Sequence, residues 1–361
     1  MDFKIDNKTL KVKNFSKNTF EVKSQPVKYS VCLTESDPLE YVTKTYKKGD
    51  VILIDKKLVS LYNFDSLSNT ALYSVEAVER NKTIETCLDL VRFLSNIGFN
   101  KGNTLHVIGG GIIQDIGSFT AAVYKRGVNW VLFPSTLLSM ADSCIGGKNG
   151  INYNGTKNQL ALFSSPTSVV ICTKFIKTLE NKEIKSGLGE ALKLLAMGGP
   201  ELLKQYVSMV RNGKVLNESD YLSLIKNSLA VKKEVIEFDE FELTIRQCLN
   251  YGHTIGHALE TLSKYEIPHG EAVAIGMLLV NKLYNTDTHE LNAACKDLID
   301  FEKLKSVDLT GLKDLILKDK KTFGDQTTFI VLKNYGETVF IKETINDNFI
   351  SRIVDEINNI K

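Results

Sequence analysis

The 361-residue sequence predicts two domains: an α/β N-terminal domain with a parallel sheet over residues 1–179, and an all-α C-terminal domain over residues 180–361. Three observations predict this. Short apolar runs alternate with helical periodicity in the first half, which is the pattern of parallel strands joined by helices. From about residue 180 the β-rich runs give way to long segments with apolar residues three and four apart. The chain is also too long for one ordinary core.

Taken in order, the strands of the first half are DVILID (50–55), TLHVIGG (104–110), NWVLFPS (129–135) and SVVICT (168–173), with a helix over TIETCLDLVRFLSNIGF between the first two. In the second half ELLKQYVSMVRNG, DYLSLIKNSLAVKKEVIEF and GEAVAIGMLLVNKLY read as helices. No repeat, low-complexity tract or proline-rich linker separates the halves, so a cleft between them is the expected ligand site.

Composition narrows the partners. With 45 basic and 43 acidic residues the net charge is near zero and no long basic run occurs, which argues against nucleic acid and against an anionic membrane surface. No apolar run approaches the roughly 20 residues needed to span a bilayer. Six scattered cysteines form no CxxC pair, and MDFKIDNKTLKVK lacks the apolar core of a signal peptide, so a reducing cytoplasm is the expected compartment.

The chemistry concentrates in a few motifs. HVIGGGIIQDIGSF follows a strand and opens a helix, the context in which glycines such as Gly110 and Gly111 let backbone amides approach a phosphate. Asp115 stands where it could bond a ribose or nicotinamide, or simply complement the helix dipole. Further on, CLNYGHTIGHALE sets two histidines four apart in a chain with only five. If one helix runs through this region, Glu242, Arg246, Asn250, His253 and His257 share a face. That face lacks the Lys/Glu mixture of a solvated surface, and its flanking Gly252 and Gly256 imply a close approach that offsets their helix cost of up to ~1 kcal/mol each. Lys232 interrupts the apolar stripe of Leu222, Ile225, Leu229 and Ile236, and Glu190 and Lys193 lie one turn apart, as in a surface ion pair.

Two histidines and a carboxylate around a divalent ion leave a fourth position for a substrate oxygen. The spacing alone does not choose three ligands among Glu190, His253, His257 and His269. The accompanying Lys148, Lys157, Asn158, Lys193, Lys232, Arg246 and Asn250 suit a small phosphorylated or carboxylated anion.

Through the ordered blocks GGGIIQDIGSFTAAVYKRG, FPSTLLSMADSCIGGKNGIN, GTKNQLALFSSP, SGLGEALK, FDEFELTIRQCLNYGHTIGHALE and PHGEAVAIGM, the chain resembles the 3-dehydroquinate synthases of the sugar-phosphate cyclase superfamily from about Asp55 to Lys321. The resemblance implies the dehydroquinate synthase-like fold, with NAD bound by the first domain and Zn2+ or Co2+ and substrate by the second. It implies Glu190, His253 and His269 as metal ligands, with His257 near the substrate phosphate. The implied NAD contacts are Glu79, Lys82, Gly110, Gly111, Asp115, Ser135, Thr136, Asp142 and Lys157. The implied catalytic groups are Lys148, Lys193, Glu242, Asn250 and His257, and the implied substrate contacts Asn158, Lys232, Arg246 and Lys320, with Arg126 reaching across a homodimer.

The expected reaction converts 3-deoxy-arabino-heptulosonate 7-phosphate to 3-dehydroquinate and phosphate, with NAD oxidising and then re-reducing the ring. Ala161, Leu162, Thr244 and Lys57 depart from the family pattern, and ADSCIGGK replaces the usual serine-serine form. These departures keep two alternatives in view: a cyclase of specialised metabolism using a related heptulose phosphate, and a metal-dependent polyol dehydrogenase.

Overall fold

The computed structural model describes residues 1–68, 70–210, 216–318 and 322–360. It divides into two compact units, Phe15–Glu180 and a second formed by Met1–Asn14 with Asn181–Lys361. The first fourteen residues therefore belong with the helical half, a correction to the expected first domain of residues 1–179. The cause is strand pairing: β1 (Asp2–Ile5) and β2 (Lys8–Lys11) form an antiparallel pair, and β1 pairs in parallel with a strand near the C-terminus.

The Phe15–Glu180 unit is the expected α/β domain. In chain order it contains β3 (Thr19–Val22), β4 (Tyr29–Thr34), α1 (Pro38–Thr45), β5 (Val51–Asp55), α2 (Lys56–Leu61), β6 (Ala71–Val75), α3 (Ile84–Asn96), β7 (Thr104–Gly109), α4 (Gly111–Val123), β8 (Asn129–Pro134), β9 (Lys148–Tyr153), β10 (Thr156–Phe163) and β11 (Ser168–Cys172). Seven strands form one sheet in the order β3-β4-β11-β8-β7-β5-β6, parallel except for the edge strand β3. Val51, Ile52, Leu53 and Ile54 are all buried, as expected of a strand covered on both faces. From β5 the chain steps to β6 on one side, and from β7 to β8 on the other, so the order reverses between β5 and β7. The glycine loop leaves the C-terminal end of β7 at this switch point, where open α/β sheets bind ligands.

The other unit continues with α5 (Asn181–Gly198), α6 (Pro200–Val210), α7 (Glu218–Phe238), α8 (His253–Leu262), α9 (His269–Leu283), α10 (His289–Lys296), α11 (Phe301–Ser306), α12 (Leu312–Leu317), β12 (Thr322–Phe323), β13 (Gln326–Asn334), β14 (Glu337–Thr344) and α13 (Asp347–Ile360). It is helix-rich, but the expectation of an all-α domain needs correcting. A five-stranded sheet, β12-β13-β14-β1-β2, accompanies the helices. Its hairpin turns at Gly336, whose φ of 80° suits glycine, and pairs TTFIVL with TVFIKE. No helix among the described residues is long and apolar enough to cross a membrane.

Candidate active site

The α/β unit assembles the expected cofactor residues around the start of α4. Gly110 caps this helix. A side chain on Gly110 would bring its Cβ to 2.8 Å from Thr136 Cγ2, so the loop lies close against the turn after β8. Thr136 bonds Ser139 there at 2.8 Å, the amide of the buried Ser135 donates to the Gly109 carbonyl at 3.0 Å, and Asp142 is buried in the next helical turn.

Asp115 lies on the first turns of α4, and its two oxygens accept from Lys82 Nζ at 2.8 Å and from the Gly150 amide at 3.3 Å. Burial raises its carboxyl above the usual range, against the pull of the Lys82 ammonium. Lys82 also donates to Asn158 Oδ1 at 2.7 Å. The Asn158 amide donates in turn to Asn152 Oδ1 at 3.0 Å, and Asn152 Nδ2 donates to Glu79 Oε1 at 2.8 Å. Five polar residues thus form one chain from Glu79 to Asp115. Asn158 occupies a bulge of the β9–β10 hairpin with φ of 53°. Lys148 is exposed at the start of β9, Lys157 is half-buried on β10, and Arg126 is exposed.

In the helical unit, α5, α8 and α9 bring Glu190, His253 and His269 together. Glu190 Oε1 lies 3.5 Å from His253 Nε2 and 3.2 Å from His269 Nε2. Donors at about 2.0–2.2 Å from a tetrahedral ion are separated by about 3.3–3.6 Å, so this spacing fits a single divalent cation. Glu190 Oε2 accepts a short hydrogen bond from Lys193, and the pair is buried instead of forming the surface ion pair its spacing suggested. Each histidine is oriented through its other nitrogen. His253 Nδ1 pairs with the Tyr251 carbonyl at 3.1 Å, and His269 Nδ1 with Glu260 Oε2 at 3.1 Å. Sequence reasoning missed Glu260 in this role. The available signal was its position seven residues after His253, two turns along the same helix.

His257 belongs to the same cluster but is exposed. Its ring centre is 5.1 Å from that of His253 and 5.7 Å from that of His269, and a ligand atom from each of the three imidazoles lies within 4.8 Å of the others. The three histidines could therefore also hold an ion.

Burial, reinforced by Lys193 and the two other imidazoles, holds His253 well below the usual histidine range. Burial also opposes charge on His269, but the Glu190 and Glu260 carboxylates outweigh it and push the ring up to about 10. A site that holds a proton between two carboxylates attracts a metal cation for the same electrostatic reason.

The expected single helical face through this region does not form. Residues Ile245–Asn250 make a tighter helical turn, Glu242 has φ of 59°, Gly252 has φ of 79°, and α8 begins only at His253. Asn250 still reaches Glu242 Oε1 at 3.3 Å, so the polar residues are gathered by a turn and not by one helix. Arg246 is 1% exposed and makes a short bond to the Glu240 carbonyl, and its amide donates to Asp239 Oδ2 at 2.9 Å. Lys232 is buried on α7 among Leu229, Val235 and Ile236 and does not extend into solvent. Lys320 lies outside the described residues.

Comparison with known proteins bears on the family and the fold. Residues 72–186 match the family described as 3-dehydroquinate synthase N-terminal, and residues 187–322 match 3-dehydroquinate synthase C-terminal. A 3-dehydroquinate synthase of Clostridium tetani (strain Massachusetts / E88) is 36% identical over 342 residues, covering 90% of this chain and 90% of the relative. Among solved structures, 2-deoxy-scyllo-inosose synthase complexed with carbaglucose-6-phosphate, NAD+ and Co2+ superposes with a TM-score of 0.81 at 20% identity, covering 94% of this chain and 99% of that one. The 2-epi-5-epi-valiolone synthase of Streptomyces hygroscopicus subsp. jinggangensis 5008, with NAD+ and Zn2+ bound, gives 0.74 at 22% identity over 94% and 99% of the two chains. At these identities the two structures speak to the fold. Because the family match runs through both halves and the Clostridium relative aligns along nearly all of its length, the chain belongs to the 3-dehydroquinate synthase family.

Proposed function

We propose that this protein converts 3-deoxy-arabino-heptulosonate 7-phosphate to 3-dehydroquinate and phosphate, with no net change in its NAD. The observation that carries this reading is Glu190 Oε1 at 3.5 Å from His253 Nε2 and 3.2 Å from His269 Nε2, in a unit that also buries Lys193, Lys232 and Arg246. When bound, NAD supplies a reversible hydride acceptor and Zn2+ or Co2+ supplies Lewis acidity at the hydroxyl being oxidised.

The protein's own groups hold and orient the rest. Glu190, His253 and His269 would ligate the ion. Gly110, Gly111, Ser135, Thr136, Asp142 and Lys157 would carry NAD, with Asp115, Lys82 and Glu79 toward its riboses. Arg246, Lys232 and Asn250 would bind the substrate carboxylate, since a guanidinium pairs with both carboxylate oxygens. Lys148, Asn158, Lys193 and Lys320 would hold the other polar groups and the phosphate. His257, the exposed member of the histidine cluster, is suited to move a proton beside the departing phosphate while Glu242 orients Asn250.

The protein is also read as a cytoplasmic homodimer serving the shikimate route to aromatic amino acids. Arg126 supports the dimer: it is exposed, and it follows Lys125 and precedes Gly127 in three successive residues with positive φ. A left-handed backbone at non-glycine residues costs on the order of 1 kcal/mol each and persists where an element must be aimed.

The test is phosphate release by the purified protein supplied with NAD and Zn2+ or Co2+. Release from the heptulosonate phosphate is expected. Turnover of sedoheptulose 7-phosphate, with none of the acid, would reassign the protein to the cyclases of specialised metabolism.

A further inference from the structure

We propose that Tyr251 and Asn281 are positioning residues that fix His253 as a metal ligand, although neither side chain belongs to the ligand cluster. The Tyr251 ring is fully buried, and its hydroxyl donates to Asn281 Oδ1 on α9 at 2.5 Å. Asn281 Nδ2 donates to Asn292 Oδ1 on α10 at 2.8 Å, which fixes which end of the Asn281 amide faces the tyrosine. Thr288 Oγ1 also reaches Asn292 Oδ1, at 3.5 Å. The ring is thereby tied to two helices outside the His253 turn.

The other end of the same residue meets the histidine. The Tyr251 carbonyl accepts from His253 Nδ1 at 3.1 Å, which leaves the lone pair on Nε2, the atom 3.5 Å from Glu190 Oε1. Between them Gly252 turns with φ of 79°, and a Cβ there would lie 2.6 Å from the Val273 carbonyl and 2.9 Å from the Met277 amide. The turn is pressed against α9, the helix that carries Asn281. The carbonyl that selects the His253 tautomer is therefore held from one side by this packing and from the other by a ring whose hydroxyl is anchored. Shape alone does not require the hydroxyl, since phenylalanine fills the same volume. Its remaining task is to hold the ring, and through the ring the carbonyl, in register with His253.

The proposal rests on reading His253 as a ligand, and the experiment separates the two claims. Co2+ affinity is measured by chelator competition, together with the d–d absorption of the Co2+ protein and the thermal midpoint of the metal-free protein, for the wild type and for Tyr251→Phe, Asn281→Leu, the double variant and His253→Ala. Outer-shell partners typically govern about 10- to 100-fold in metal affinity, and Tyr251→Phe is expected to weaken Co2+ binding within that range and alter the d–d band. The double variant leaves no unpaired partner of the Tyr251–Asn281 bond, so its metal-free midpoint should lie above that of Asn281→Leu alone while its Co2+ affinity stays weak. Wild-type affinity and spectrum in Tyr251→Phe, or recovery of affinity along with stability in the double variant, would overturn the positioning role. Wild-type Co2+ affinity in His253→Ala would instead overturn the ligand reading beneath it.

Discussion

His253 and His257 stand one helical turn apart, yet their surroundings divide them. His253 is buried, backed by the Tyr251 carbonyl, and faces Glu190, whereas His257 is exposed beside it. His253→Ala should lose bound metal, because only Glu190 and His269 remain of three ligands. His257→Ala should keep the metal and slow turnover by roughly 10²-fold or more if it moves a proton. Elemental analysis of the purified variants decides between them, and equal metal loss in both would favour the three-histidine arrangement.

A second histidine bears on stability. His106 is buried on β7, bonded to Asp50 at 3.3 Å, and burial lowers its pKa although Asp50 opposes the shift. Above the unfolded value of about 6.5 this costs nothing. As pH falls below that value, the unfolded chain takes up a proton that the folded one refuses. Stability is then lost by up to about 1.4 kcal/mol per pH unit until the folded pKa is passed. Thermal melts between pH 7 and pH 5 should therefore fall more steeply for the wild type than for His106→Phe, and parallel declines would show that the buried imidazole is not responsible.

At the scale of elements, the cluster depends on how closely α8 and α9 approach. Both histidines that face Glu190 are the first residues of these helices, so the helix spacing sets their separation. A Cβ on Gly256 would lie 2.8 Å from the Ala272 carbonyl oxygen and 3.0 Å from its carbon, both backbone atoms. Gly256→Ala should gain up to ~1 kcal/mol in helix propensity yet lose about 1–3 kcal/mol to overpacking, with a lower melting temperature and weaker metal binding together. A variant that melts higher and binds metal normally would refute the close-approach argument. This approach was legible in the sequence, because Gly252 and Gly256 flanked histidines in a helical pattern for no propensity reason. The glycine loop after β7 was legible for a similar reason, as its neighbours set a strand before it and a helix after it. What could not be read was whatever depends on distant partners. The polar stripe seemed continuous because periodicity alone does not reveal that Gly252 breaks the helix. The polar chain from Glu79 to Asp115 joins residues far apart in sequence. The strands β13 and β14 were not read in the sequence, and the pairing of β14 with β1 joins the two ends of the chain.

For the whole molecule, two units each supply part of the proposed chemistry. The α/β unit presents a glycine loop at the switch point of its sheet, and the helical unit presents a metal-type cluster with buried cations. Architecture by itself does not choose between a cyclase and a dehydrogenase. Stoichiometry does, because a cyclase returns the hydride in every cycle whereas a dehydrogenase accumulates reduced cofactor. The direct measurement supplies NAD well below the concentration of the heptulosonate phosphate and follows phosphate and NADH together. The account predicts many phosphates released per NAD with no sustained rise in NADH. Steady NADH formation from an unphosphorylated polyol, without phosphate release from the sugar acid, would contradict it.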